Sequence, residues 1–385
     1  MTERTDPFSI LTLAQLRERG SAKWRHYPAD VLPLWVAEMD VPLAPPIADA
    51  LTRLVTLGDA GYPGDEPYRE AFASFATDSW GWDPSVARTR AAASVIAAYA
   101  DALFESVGAG GAVVVTSPVY PPFYSYLAQA GLTVVEAPLT ADLRLDQSTL
   151  EAAFAEATSA PDGGKRRAAL LLCNPHNPGG TVHTKAELEE TAALASRFGA
   201  QVVSDEIHAP IVYEGETFTP YLTVDPTGIA VHAASKGWSL AAIPAALVVF
   251  GPDAGAALAR YDGGKHHGPT YWGVVAQTVA YSQGRAWLAD ALAGLDRNRH
   301  LLGSLLAQKV PAAKYVVPAA TYLTWVDCRE LDLGEDPAAV FLKRGRVAFN
   351  SGPTFGTGGA GHVRINIATS PAILAEAVDR MASAL

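Results

Sequence analysis

The chain has 385 residues, of which 49% are hydrophobic and 18% are charged, and its formal net charge is −11. This composition is typical of a folded globular enzyme and excludes a largely disordered chain. Because the charge balance is acidic and no basic tract is present, we expect neither nucleic acid nor an anionic membrane as a partner. No run of about 18 apolar residues occurs, so no segment is expected to span a membrane.

The N-terminus and the cysteines favour a cytoplasmic protein. Residues 1–6 are mainly polar and differ from a secretory signal peptide. The two cysteines, Cys173 and Cys328, are far apart and too few for a disulfide framework. Cys173 ends an apolar run, so we expect it to be a buried and unreactive thiol.

Helical and strand patterns alternate along the chain as they do in α/β proteins. We predict helices at residues 9–19 with Ser9 as the N-cap, 45–57, 66–79, 96–104, 147–157, 285–308, 337–343 and 372–384, and one that ends near residue 281. We predict strands at residues 112–116, 133–137, 169–173, 201–203, 229–233, 321–326 and 347–350. Because 385 residues exceed what one core usually holds, two domains are expected.

Three polar clusters each follow a short apolar run. They are residues 174–180 (Asn-Pro-His-Asn-Pro-Gly-Gly), 204–208 (Ser-Asp-Glu-Ile-His) and 234–236 (Ala-Ser-Lys). The apolar runs predict buried parallel strands, and polar residues at the C-terminal ends of such strands lie at the crevice where open α/β sheets bind ligands. The sequence therefore predicts an amide, a carboxylate and an amine at one place.

These three groups fit pyridoxal phosphate (PLP). A lysine can form a Schiff base with the aldehyde, a carboxylate can keep the pyridine nitrogen protonated, and an amide can hydrogen-bond the ring hydroxyl. A phosphate site is also available at residues 94–96, which begin an apolar helix after a short strand. A helix start offers unpaired N–H groups and the positive end of the helix dipole to a phosphate.

In this order, the three clusters resemble those of the fold-type I PLP enzymes, the class I/II aminotransferase family. Within that family the chain is most similar to the MalY/PatB-type cystathionine β-lyases, a group of C–S lyases, and the resemblance runs from Trp35 to the C-terminus. It implies a large PLP-binding domain at residues 45–285 with a mostly parallel seven-stranded sheet flanked by helices. Residues 1–44 and 286–385 would form a smaller α+β domain.

The resemblance also implies catalytic roles. Lys236 would carry the Schiff base and move protons, Asp205 would pair with the pyridine nitrogen, Asn177 would hydrogen-bond the ring hydroxyl and Tyr120 would stack on the ring. Arg364, in the segment Gly-His-Val-Arg-Ile-Asn, would bind the substrate carboxylate through its planar fork.

Further binding roles follow from the same resemblance. Ala37, in residues 34–40 (Leu-Trp-Val-Ala-Glu-Met-Asp), would line the substrate entrance on a loop, although an edge strand is the alternative. Tyr62, in a Gly-Tyr-Pro turn, would reach the partner's cofactor phosphate and substrate across a homodimer interface. The phosphate and the ring of the cofactor would also be contacted by six further residues, which are Ser94, Val95, Ile96, Ser235, Thr270 and His208.

Several of these residues have a purely structural alternative when they are considered singly. These alternatives are a surface lysine for Lys236, a core aromatic for Tyr120, a packed surface aromatic for Tyr62, an ordinary helix start for residues 94–96, a hydrogen-bonded histidine for His208 and a surface arginine for Arg364. The order of the motifs along the chain favours the functional interpretation.

The chain departs from the family pattern at two positions. Ala233 replaces a serine that relatives often have three residues before the lysine, and Pro244 stands where many aminotransferases place a phosphate-binding arginine. The phosphate would then depend on backbone amides, Ser235, Tyr62 and Thr270. The pair His266-His267 has no acidic or cysteine partner at ligand spacing, so no metal is expected.

The leading hypothesis is a C–S β-lyase that cleaves cystathionine or a cysteine S-conjugate to a thiol, ammonia and a 2-oxo acid. The nearest alternative is an aminotransferase, which would use the same residues, and a decarboxylating or deaminating enzyme is a third. A non-enzymatic cofactor-binding protein is disfavoured because Lys236, Asp205, Asn177 and Arg364 are all present.

Overall fold

The computed structural model of the protein describes residues 6–160, 162–261 and 268–385. His266 and His267, at which no metal is expected, lie outside these ranges. Within them, no group of three or more His, Cys, Asp or Glu side chains is placed to hold a metal ion. None of the described helices combines the length and the apolar character needed to cross a bilayer.

The described residues form helices and strands in the following order. The helices are α1 (Leu13–Glu18), α2 (Ala22–Arg25), α3 (Pro45–Leu57), α4 (Glu66–Trp80), α5 (Val95–Val107), α6 (Pro122–Gln129), α7 (Gln147–Ala157), α8 (Lys185–Arg197), α9 (Gly255–Arg260), α10 (Tyr271–Gln283), α11 (Arg285–Lys309), α12 (Pro337–Val340) and α13 (Pro371–Ser383). The strands are β1 (Leu32–Pro33), β2 (Thr89–Ala92), β3 (Ala112–Val115), β4 (Thr133–Glu136), β5 (Ala168–Cys173), β6 (Gln201–Asp205), β7 (Ile229–His232), β8 (Ala246–Phe250), β9 (Lys314–Tyr315), β10 (Leu323–Asp327), β11 (Val347–Ala348), β12 (Asn350–Ser351) and β13 (His362–Asn366).

The predicted seven-stranded, mostly parallel sheet is confirmed. Its strand order is β2-β8-β7-β6-β5-β3-β4, and the strands from β7 to β4 pair in parallel. Strand β8 is antiparallel to both of its neighbours. Strands β3, β5 and β7 are buried throughout, which explains their continuous apolar sequences, because helices cover both faces of such a sheet.

The start predicted for the first helix is wrong. Helix α1 begins at Leu13, and its N-cap is Thr12 rather than Ser9. Thr12 Oγ1 accepts a hydrogen bond from the Gln15 backbone N–H (3.3 Å), while Gln15 Oε1 accepts one from the Thr12 N–H (3.0 Å). This capping box satisfies two helix-end donors at once, which Ser9 could not do at its position.

Two predicted elements near the C-terminus are shorter than expected. The strand predicted at residues 321–326 begins at Leu323, because Thr321 has a φ of 62°, outside the extended region. The helix predicted at residues 337–343 stays α-helical only to Val340 and continues as a π-helical turn, Phe341–Gly345.

The N-terminal segment packs against the C-terminal part of the chain. Phe8, Leu16 and Trp24 belong to one hydrophobic cluster with Leu323 and Ile365. The last two residues lie on β10 and β13 of a four-stranded sheet with the order β12-β13-β10-β9. The domain boundaries at residues 45 and 285 stay predictions.

The loop between β12 and β13 is attached to the seven-stranded sheet by hydrogen bonds. Tyr124 Oη lies 2.6 Å from Glu136 Oε1 and 3.0 Å from the Phe355 carbonyl oxygen. The Thr357 N–H donates to Glu136 (3.3 Å), and the Val119 N–H donates to the Phe355 carbonyl (2.9 Å). The four-stranded sheet is thereby held next to the C-terminal ends of the parallel strands.

Candidate active site

A cavity of about 150 Å³ lies at the C-terminal ends of β5, β6 and β7. The register brings these ends together: Cys173, the last residue of β5, is opposite Asp205, the last residue of β6. The cavity is lined by ten of the predicted site residues, which are Ala37, Ser94, Val95, Ile96, Tyr120, Asn177, Asp205, His208, Ser235 and Lys236. The amide, the carboxylate and the amine that were predicted to lie at one place therefore line the same cavity.

Lys236 lines the cavity, and its amine forms no ion pair with an acidic side chain among the described residues. Its Nζ donates a hydrogen bond to the Ala37 carbonyl oxygen (3.2 Å). Burial and, to a smaller extent, the charge of Arg364 lower the pKa of Lys236 from 10.5 to about 8, against the opposing charges of Asp205 and Glu38. An amine with this pKa is mostly protonated near neutral pH, but about a fifth of it is neutral at about pH 7.4 and can accept a proton.

Asp205 is a buried carboxylate that is only partly satisfied. It is 4% exposed, and burial raises its pKa from 3.8 to about 7. A hydrogen bond from the Ile207 N–H to Oδ1 (3.2 Å) and the charge of Lys236 both act in the opposite direction. Such a carboxylate is suited to a cationic partner that enters the cavity.

Arg364 connects the four-stranded sheet with the cavity. It is 2% exposed, its Nη1 donates to Asn177 Oδ1 (3.1 Å) and its Nη2 donates to the Trp35 carbonyl oxygen (3.0 Å). The guanidinium also lies over the ring of Phe355, with Cζ 5.2 Å from the ring centre. A fixed guanidinium beside the amine of Lys236 is suited to a carboxylate of an amino acid.

The phosphate end of the predicted site lies at the start of α5. Ser94 is the N-cap of this helix, and its Oγ accepts from the Ala97 N–H (3.2 Å). Ser235 Oγ accepts from Gln277 Nε2 (3.3 Å), so its own proton is free to be donated into the cavity. Pro244 lines the cavity, and none of the described residues that line it is an arginine.

The loop of residues 34–40 is confirmed, and the alternative edge strand is wrong, since β1 ends at Pro33. Asn366 Nδ2 donates to the carbonyl oxygens of Val36 and Glu38 (2.7 Å each). The Ala37 carbonyl accepts from Tyr322 Oη (3.2 Å) as well as from Lys236. These bonds hold the loop across the mouth of the cavity.

His208 is neutral in this site. It is 2% exposed, and its Nδ1 shares a hydrogen bond with Thr321 Oγ1 (3.0 Å). Burial holds the pKa of His208 well below its ordinary value, and the charges of Lys236 and Arg364 act in the same direction. The structure therefore supports a hydrogen-bonded histidine on the wall of the cavity.

Besides Arg364, which reaches the cavity through its hydrogen bond to Asn177, two predicted site residues do not line the cavity of this chain. Tyr62 is fully exposed, and Thr270 is an exposed N-cap whose Oγ1 accepts from the Gly273 N–H (3.1 Å). Neither residue lines the cavity. Their predicted contact with a cofactor phosphate would require a second subunit.

Comparison with known proteins identifies the family. A family model described as aminotransferase class I and II matches residues 61–381. The chain belongs to this family. It is 48% identical to a Mycobacterium tuberculosis protein provisionally named cystathionine beta-lyase, over 99% of this chain and 98% of that protein. It is 30% identical to the cystathionine beta-lyase of Corynebacterium glutamicum, over 97% and 99% of the two chains.

A solved structure extends this likeness to the fold. A Corynebacterium diphtheriae protein, provisionally titled a PLP-dependent beta-cystathionase, matches with a TM-score of 0.88 and 31% identity, over 97% of this chain and 98% of that chain. The predicted fold-type I architecture of the class I and II aminotransferases is therefore confirmed.

The residues present fit PLP, the cofactor implied by membership of this aminotransferase family. Lys236 offers an amine to the aldehyde, Asp205 a carboxylate to the pyridine nitrogen and Asn177 an amide N–H to the ring hydroxyl. Ser94 and Ser235 lie with the N–H groups at the start of α5, where a phosphate is stabilised. All five line one cavity.

Several residues that line the cavity are not among the predicted site residues, including Tyr99, Ile207, Ala241 and Ala245. A signal was available for Tyr99, which follows Val95 by four residues on α5 and so shares its helix face. No comparable signal marks the two alanines, because small apolar residues are common in every part of this chain.

Proposed function

We propose that this protein is a PLP-dependent C–S β-lyase that cleaves cystathionine or another cysteine S-conjugate. The products are a thiol, ammonia and a 2-oxo acid, and one water is consumed. The observation that carries the proposal is that Lys236, Asp205 and Asn177 line one cavity, with Arg364 hydrogen-bonded to Asn177. The names of the relatives support a lyase rather than another reaction of the same family.

The proposed chemistry assigns a task to each of these side chains. PLP supplies an electrophilic carbon for the substrate amino group and a ring that accepts the electron pair left at Cα. Arg364 binds the substrate carboxylate, and Lys236 Nζ removes the Cα proton. The C–S bond then breaks, and its electron pair leaves with the sulfur as a thiolate, to which Lys236 can return a proton.

The remaining residues hold the cofactor and the reacting geometry. Asp205 stabilises a protonated pyridine nitrogen, and Tyr120 packs on the ring. The amides of residues 94–96 and the hydroxyls of Ser94 and Ser235 bind the phosphate. The loop that carries Ala37 closes the substrate side of the cavity.

The protein is proposed to act as a cytoplasmic homodimer with shared sites. Tyr62, Val55 and Leu57 lie on or just after α3 and are at least 61% exposed. Large apolar side chains in such a group are typical of a protein interface. The partner's Tyr62 and Thr270 would complete the phosphate site, which this chain does not close with an arginine at Pro244.

An aminotransferase is the second candidate, because the matching family model carries that description. The test is to supply a cysteine S-conjugate without any 2-oxo acid acceptor. A lyase releases pyruvate, ammonia and thiol in equal amounts over many turnovers. Product that stops after one equivalent, and resumes only when a 2-oxo acid is added, would identify an aminotransferase.

A further inference from the structure

Tyr99 is a buried side chain with an unused hydroxyl at the cavity. It is 0% exposed, and its Oη has no hydrogen-bond partner among the described residues. Its ring is fixed by an edge-on contact with Phe123, with the ring centres 5.2 Å apart. Buried hydroxyls in native proteins nearly always form a hydrogen bond. An unpaired hydroxyl beside a ligand cavity therefore indicates that it forms a hydrogen bond when the cavity is occupied.

The position of Tyr99 on α5 directs it to the ring end of the cavity. It lies one turn beyond Val95, at the helix start where the phosphate is proposed to bind, and both residues line the cavity. Burial raises the pKa of Tyr99, and the negative charge of Asp205 raises it further. Tyr99 is therefore a protonated donor that lines the same cavity as the Asp205 carboxylate.

One carboxylate oxygen of Asp205, Oδ2, is available to accept a hydrogen bond. Its Oδ1 accepts from the Ile207 N–H, while no described residue donates to Oδ2. The ionisable groups around this pair are Tyr120, Tyr126 and Cys173 near Tyr99, and Lys236 and Glu206 near Asp205. Apart from Lys236, which donates to the Ala37 carbonyl, none of them is a cation that could neutralise Asp205.

We propose that Tyr99 is a positioning residue whose hydroxyl donates a hydrogen bond to Asp205 Oδ2 when PLP fills the cavity. In the present structure the two side chains line the same cavity and share no hydrogen bond. The bond would keep Asp205 ionised and directed at the pyridine nitrogen. This inference rests on the cofactor assigned in the proposed function and adds a residue to it.

The test compares Tyr99→Phe with the wild-type protein in three measurements. We expect the dissociation constant for PLP to rise about tenfold, as for loss of a hydrogen bond to a charged group. We expect the midpoint pH of the visible absorbance change of the PLP-loaded protein to move upward by roughly half a unit to one unit. When Asp205 is less ionised, the pyridine nitrogen of PLP is less often protonated and the ring carries less positive charge. The nitrogen that would join Lys236 to PLP then keeps its own proton to a higher pH. The PLP-free variant should melt no lower than wild type, since the hydroxyl is unpaired there.

Tyr261→Phe is the matched control. Tyr261 belongs to the same hydrophobic cluster, packs its ring 5.3 Å from that of Phe250 and also has an orphaned hydroxyl, but it does not line the cavity. A wild-type PLP affinity and absorbance midpoint in this variant, together with the changes in Tyr99→Phe, support the proposal. Equal changes in both variants would overturn it.

Coupling to Asp205 gives the second arm of the test. In an Asp205→Ala background, adding Tyr99→Phe should change the PLP dissociation constant less than twofold, because the acceptor is gone. If adding Tyr99→Phe in that background still raised the PLP dissociation constant about tenfold, the hydroxyl would bind a group other than Asp205 and the proposal would be wrong. A weaker PLP affinity in Tyr99→Phe with an unchanged pH midpoint of the absorbance change would lead to the same conclusion. Wild-type protein that shows no absorbance with PLP would refute the cofactor assignment, whereas a normal wild type with an unaltered Tyr99→Phe refutes this inference alone.

Discussion

Arg364 Nη1 donates a hydrogen bond to Asn177 Oδ1 across 3.1 Å, although the two residues are 187 positions apart in the chain. The bond occupies the amide oxygen of Asn177, so Nδ2 is the group left to donate into the cavity. On the other side, Arg364 Nε is buried and has no partner among the described residues. One guanidinium thus orients the amide of Asn177 and keeps a donor, Nε, without a partner in the described part of the chain.

We expect Arg364→Lys to raise KM for the amino-acid substrate by about 10- to 100-fold. Lysine provides a point charge but no planar fork, so the bidentate pair with a carboxylate and the bond to Asn177 are both lost. PLP binding, measured by absorbance, should change little. Arg329→Lys is the control, because Arg329 is an exposed arginine paired with Asp327. An unchanged KM in Arg364→Lys would remove Arg364 from the substrate site.

Lys236→Ala should abolish turnover while leaving the fold intact. The side chain lines the cavity, and its one hydrogen bond within the described part of the chain goes to the Ala37 carbonyl. Borohydride reduction followed by peptide mapping should trap PLP on Lys236 in wild type and nowhere in the variant. A reducible adduct that persists at a different lysine would contradict the assignment.

Mixing two inactive variants should restore activity if the sites are shared between subunits. Tyr62 is fully exposed and lies away from the cavity that Lys236 occupies in the same chain. A mixed dimer of Tyr62→Ala and Lys236→Ala therefore contains one site with both side chains. We expect about a quarter of wild-type activity after random re-pairing of equal amounts, as half the dimers are mixed and each has one intact site of two. A fully active monomer in sedimentation would rule out this arrangement.

Asp205→Asn should stabilise the PLP-free protein above neutral pH and not at low pH. The carboxyl has a pKa of about 7 when folded and 3.8 as its ordinary value, because burial disfavours its charge. A raised folded pKa gives stability that is present at low pH and lost as the pH rises from about 4 to 7. Removing the charge should recover up to about 4 kcal/mol at about pH 8, from roughly three pKa units.

Urea unfolding of both proteins at about pH 4 and about pH 8 measures this difference. Asp327→Asn is a control of opposite sign, since the hydrogen bond from Arg329 lowers the pKa of Asp327. That variant should lose stability at the higher pH. Equal unfolding free energies of Asp205→Asn and wild type at both pH values would show that Asp205 is not penalised by burial.

Gly356→Ala should destabilise the protein more than Gly58→Ala. Both glycines have positive φ angles, 86° and 64°. A Cβ at residue 356 would lie 2.1 Å from both Glu136 Oε1 and Tyr124 Oη, whereas nothing lies within 4 Å of a Cβ at residue 58. We expect about 1 kcal/mol of backbone strain at Gly58 and about 2–4 kcal/mol at Gly356, where overpacking is added. Unfolding free energies in urea compare the two, and similar losses would mean that the Glu136–Tyr124 contact is easily displaced.

Much of this architecture follows from local sequence signals. Helix α3 has proline in its first turn and Gly58 in the left-handed conformation after its end, and its predicted bounds coincide with the observed ones. The buried strands β5 and β7 are also within a residue of prediction at each end. Capping groups, prolines and apolar runs act over a few residues, so the sequence carries them directly.

Only the tertiary structure decided which side chains share the cavity. The bond between Arg364 and Asn177, the placement of Tyr99 and Asp205 in one cavity and the absence of Tyr62 from that cavity depend on contacts between distant segments. Strand β8 was not predicted although it is a continuous apolar run, and its antiparallel pairing with β2 and β7 is set by the neighbouring strands rather than by its own residues. A local pattern specifies an element and the face it buries, but the partner that covers that face is chosen by packing of the whole chain.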